Sequence, residues 1–81
     1  MTVEQAMWHI NDVVAYDAMR ELSSNVQALL LGRQRDGDPT AHVELLELRR
    51  TTLAVDGYDR AAVDAFAQQL RVRADDLTHA Q

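Results

Sequence analysis

The chain has 81 residues, 47 % hydrophobic but only 5 % aromatic, with a net charge of −5 and no cysteine. That length allows one domain with a modest core. The missing cysteine excludes a disulfide or a thiolate metal centre, and the acidic balance argues against nucleic acid or an anionic membrane as the main partner. A core of Leu, Val and Ala with few rings is the composition of packed helices, so an all-α three-helix bundle is expected as a single domain over residues 1–81. A core of this size rarely supplies more than about 3–5 kcal/mol. Self-association or a partner chain is the remaining source of stability.

All eight basic residues are arginine, a bias expected of a GC-rich bacterial or phage genome. The N-terminal stretch from Met1 to Ile10 carries Glu4 and no basic residue, unlike a signal peptide. The apolar run Ala28-Leu29-Leu30-Leu31 is far short of the roughly 20 residues that span a bilayer. A cytoplasmic location is expected.

The first helix is expected over residues 3–31, opened by Thr2 with Gln5 three positions on, the spacing of a capping box. Met7, Ile10, Val13 and Val14 share one side, but Leu22, Val26 and Leu29 are rotated from them by roughly 100°. Between the two stripes lies Ser23-Ser24-Asn25, whose side chains compete with helical backbone bonding. That tripeptide is the candidate kink.

Gly32 to Pro39 holds two glycines, two aspartates and the only proline, which is strong loop punctuation. Asp38-Pro39 reads as N-cap and first helical residue, because proline's missing N–H costs nothing there. The second helix is expected over residues 39–55, and it is apolar on two opposite sides. Val43, Leu46 and Leu53 fall on one, and Leu45, Leu48 and Val55 on the other. A helix in so small a chain needs two apolar faces only when it is sandwiched, between its own neighbours or against a partner. The β-branched Thr51 to Val55 stretch before Asp56-Gly57 offers a hairpin as the competing local reading, but the helical pattern that follows gives such a strand no mate.

Gly57 is expected to take the left-handed position after the second helix, with Asp59 capping a third over residues 59–78. Val63, Phe66, Ala67, Leu70, Ala74 and Leu77 keep a heptad-like spacing there. It should pack as an ordinary bundle helix.

The chemistry-bearing residues form no recognisable site. His9, His42 and His79 are far apart, and no ExxH or HxxxH pair offers metal ligands one turn apart. Ser23 and Ser24 lack a nucleophile elbow, Gly32 and Gly37 lack the lysine of a phosphate loop, and Asp36-Gly37-Asp38 is too short for a calcium loop. No cofactor, metal or enzymatic activity is expected. A helix displaying Arg60, Gln68, Arg71 and Arg73 after a turn gives a helix-turn-helix alternative, although Asp59, Asp64, Asp75 and Asp76 would oppose phosphate.

Gly57-Tyr58-Asp59-Arg60-Ala61-Ala62-Val63-Asp64-Ala65-Phe66 resembles the GYxxxxVDxF signature of DivIVA-type bacterial polar-growth proteins. The resemblance covers these residues alone. Ala62 and Ala67 stand where that family has Glu and Leu, and the chain that follows is too short for its coiled coil. Membrane-curvature binding is not implied.

These readings converge on a small non-enzymatic helical protein that acts by protein–protein interaction, as an antitoxin, immunity or inhibitor protein, adaptor or accessory subunit. A homo-oligomer or a partner-bound chain is expected, with Leu45, Leu48, Val55, Trp8 and Met7 as candidate contacts, since large side chains dominate interface energetics. A DNA-binding regulator using the third helix and a phage or filament assembly component are the alternatives.

Overall fold

A computed structural model of the chain, in which residues 10–79 are described, has three helices in sequence: α1 (Ile10–Arg35), α2 (Pro39–Ala54) and α3 (Arg60–His79). The Thr2 to Gln5 capping box, and with it the expected start of the first helix at residue 3, lies outside the described residues.

α1 runs unbroken through Ser23-Ser24-Asn25. The Ser23 side chain turns into the core instead of competing for the backbone, and its hydroxyl lies 2.6 Å from that of Thr52. The helix also runs through Gly32 to Arg35, four residues beyond the expected end. Its stop is set by Gly37, whose φ of 98° suits glycine. The Gly37 amide donates to the Gln34 carbonyl at 3.0 Å and the Asp38 amide to the Arg33 carbonyl at 3.0 Å. This pair of bonds is the Schellman closure, which satisfies the last carbonyls of a helix.

Asp38 ends that motif and opens α2. Its carboxylate accepts from the Thr40 amide at 3.0 Å and the Thr40 hydroxyl at 2.8 Å, with Pro39 in the first helical position. These bonds hold the Asp38 carboxyl below its ordinary value of 3.8, because they favour the charged form. At the other end the threonines stay helical by donating back one turn, Thr51 to the Glu47 carbonyl and Thr52 to the Leu48 carbonyl. No hairpin forms.

Gly57 does not supply the expected left-handed cap. Val55 leaves the helix in an extended conformation. Asp56 then closes the turn, its carboxylate accepting from the Tyr58 amide at 2.9 Å and its carbonyl from the Asp59 amide at 3.0 Å. Asp59 caps α3 as expected, accepting from the Ala62 amide at 3.1 Å.

Two contacts fix direction. Arg60, at the start of α3, reaches Asp12 near the start of α1, and Arg33, near the end of α1, donates to the Leu77 carbonyl near the end of α3. α1 and α3 therefore run parallel, with α2 antiparallel to both. The helix sandwiched in space is α1, not α2. α1 packs on both neighbours, whereas no Cα atom of α2 lies within 8 Å of one in α3.

The core shows the same inequality. α1 buries Met19, Val26 and Leu30, and α3 buries Val63, Phe66, Ala67, Leu70 and Leu77, with Ala74 packed beside them. That is the stripe its spacing predicts. α2 buries only Ala41 and Thr52 completely.

Candidate functional site

The choice between α2's two faces decides where a binding surface can lie. Leu45, Leu48 and Val55, the expected contact residues, are half-buried and packed against the core. They face the chain's own interior. Val43, Leu46 and Leu53, on the opposite side, are 59 %, 46 % and 80 % exposed. Met7 and Trp8 lie outside the described residues.

A polar contact accounts for the orientation. Thr52 donates to the Leu48 carbonyl at 2.8 Å, so its oxygen is left to accept, and Ser23 donates to it. Gln27 in turn donates to Ser23 at 3.0 Å. The chain from Gln27 to Ser23 to Thr52 to the Leu48 carbonyl satisfies both buried hydroxyls in one direction and sets the register of α2 on α1. The outer stripe has Arg50 at the equivalent place, between Leu46 and Leu53. Burying an arginine without a partner costs several kcal/mol in order of magnitude, whereas a threonine bonded to its own helix is cheap to bury. Arg50 in one stripe against Thr52 in the other was the legible signal for which face turns inward.

Charge is partitioned across the surface. On α3, Arg60 bonds Asp64 at 3.0 Å and Asp12 at 2.9 Å. Arg73 grips Glu44 of α2 with two bonds, at 2.7 and 2.8 Å, the fork geometry that suits a carboxylate. These carboxylates, by hydrogen bonding first, hold both guanidinium groups above their ordinary pKa. Arg71 is bonded to Gln68. Two of the three arginines proposed to meet DNA are thus occupied within the chain. The antiparallel run of α2 and α3 also differs from the steep crossing of a helix-turn-helix pair.

Grooves flank α1 on both sides. The one against α3 has an alanine floor of Ala15, Ala18 and Ala67, and its wall holds the paired Arg60 and Asp64. The one against α2, of about 320 Å³, is lined by Arg20, Ser24, Gln27, Arg49 and Leu53 and by the edges of Ser23 and Thr52. Among the described residues no carboxylate lines it. Arg20 leans on the Tyr16 ring at 5.9 Å, and among the described residues neither it nor Arg49 nor Arg50 has a carboxylate within ion-pairing distance.

Among the described residues no cluster of three His, Asp or Glu is placed to hold a metal ion, and no helix is long and apolar enough to cross a membrane. Glu44 is bonded to Arg73, and of the three histidines His9 lies outside the described residues. Comparison with protein-family models, with curated proteins and with solved structures finds no match. Within the short DivIVA-like string, Val63 and Phe66 are core residues.

Proposed function

We propose that the protein works without catalysis, in the cytoplasm, by binding another protein through the outward face of α2. One observation carries this reading: Val43, Leu46 and Leu53 form an exposed apolar row on a helix whose other face already closes the chain's own core. Burying three such side chains at a partner would contribute on the order of 1.5–3 kcal/mol each before association costs are met. An inhibitor, antitoxin, adaptor or accessory subunit all suit a small rigid helical face of this kind. DNA binding by α3 draws less support, since Arg60 and Arg73 are already held by carboxylates.

The test is co-purification from the native source with the full chain as bait, beside a Leu46→Glu/Leu53→Glu variant. A partner retained by the wild type and lost by a variant of unchanged helicity is expected. Equal retention by both would show that the face is not the contact.

A further inference from the structure

Resting on that reading, we propose that the occupant of the α2 face is an acidic amphipathic helix of another protein, its apolar residues on Leu46 and Leu53 and its carboxylates on Arg49, Arg50 and Arg20. The apolar row and the cations are one surface. Arg50 stands inside the row between Leu46 and Leu53, while Arg49 and Arg20 line the adjoining groove beside Leu53. The chain has acidic residues in excess and places them on Arg60 and Arg73, yet among the described residues it leaves these three arginines without a carboxylate. Arginine presents a rigid fork of donors that a carboxylate fills with two bonds. The groove adds the Ser24 hydroxyl and the Gln27 amide as further donors. A helix with carboxylates one turn from its leucines would satisfy the whole surface, in the helix-in-groove manner.

A second copy of the chain fits this face poorly. In a parallel two-fold pairing of α2 on α2, Arg50 in the row meets its own equivalent. In an antiparallel pairing each flank meets the same flank of the copy, so Arg49 faces Arg49 and Glu47 faces Glu47. Like charges opposed in this way are unfavourable.

The experiment measures binding of two labelled helical peptides to the full chain by fluorescence anisotropy. Both carry leucine at heptad a and d positions; one has glutamate at the flanking positions and the other glutamine. The net charge of −5 opposes the glutamate peptide, so a preference for it reports the local arginines and not bulk attraction. We expect the glutamate peptide to bind about tenfold tighter, Arg49→Glu/Arg50→Glu to abolish that preference at unchanged helicity, and Leu46→Ser/Leu53→Ser to weaken both peptides. Equal binding of the two peptides, or none of either, overturns the acidic partner. So does dimerisation in sedimentation equilibrium that Leu46→Ser/Leu53→Ser abolishes and Arg49→Glu/Arg50→Glu leaves intact. The two claims separate in co-purification: a native partner lost by the leucine variant but kept by the arginine variant leaves the α2 reading standing and removes the acidic helix.

Discussion

α2 and α3 are consecutive helices on the same scaffold, α1, yet they spend their apolar residues differently. α3 concentrates its apolar residues: five of its stripe are buried, Val72 alone of its large apolar side chains is exposed, and Arg60 and Arg73 pair with carboxylates within the chain. α2 is two-sided, with a shallow inner face of half-buried Leu45, Leu48 and Val55 and an outer face left open. The difference teaches that hydrophobic content alone does not anchor a helix. α3 anchors because its apolar residues converge on one stripe, while α2 divides a similar supply and needs a hydroxyl contact, two caps and one ion pair to hold its place.

The contrast breaks most directly in the core. Leu70→Ala, at a residue 2 % exposed, should cost about 2–5 kcal/mol, whereas Leu48→Ala, half-buried on α2, should cost about 1–2 kcal/mol. Urea denaturation of the two variants checks the ranking; equal losses would mean that α2 is as deeply anchored as α3. Next in size is Thr52→Val, which leaves the buried Ser23 hydroxyl without its acceptor and should cost about 1–3 kcal/mol. Adding Ser23→Ala should restore much of that loss, because it removes the stranded donor. A double variant whose loss is simply the sum would show that the two hydroxyls act independently.

Smaller again is the cap that starts α2. The Asp38 carboxyl titrates lower in the folded chain than when unfolded, so its contribution is complete above the unfolded value and is lost as pH falls through the folded one. Asp38→Ala should therefore lower Tm at neutral pH, and its gap from the wild type should narrow below about pH 4. Thermal melts across that range would contradict this if the gap were constant. The smallest effect is on the outer face: Leu53→Ser, at a residue 80 % exposed, should change unfolding free energy by no more than about 0.5 kcal/mol. A larger loss would make that side a structural face and sink the contrast between the two helices.

Much of the backbone plan was legible in the residues. Asp38-Pro39 and Asp59 act locally, on amides within three positions, so their capping roles could be read without knowing any neighbour. The α3 stripe was legible because a single face repeats without competition. Gly32 and Gly37 show the limit of such signals: both suit a helix stop, and the chain passes the first to stop at the second, where the Asp38 amide closes the turn and α2 can fold back on α1. Likewise Ser23-Ser24-Asn25 reads as a weak point until Thr52, 29 residues away, gives Ser23 a partner. Both apolar faces of α2 are readable in the sequence, but hydropathy alone does not say which one is covered: the fold packs Leu45, Leu48 and Val55 against the core and leaves Val43, Leu46 and Leu53 exposed.

Local chemistry specifies three helices, the caps at Asp38 and Asp59, the inward stripe of α3 and the existence of two apolar faces on α2. Those follow from backbone chemistry and from a repeat close to 3.6 residues, both of which act within a segment. Only the tertiary structure decided that α1 is the sandwiched helix and that α2 turns its Thr52 side inward. Two stripes of similar hydrophobicity are nearly equivalent to an isolated helix. What separates them is the neighbour each will meet: a serine hydroxyl on α1 matches Thr52, and among the described residues no carboxylate matches Arg50.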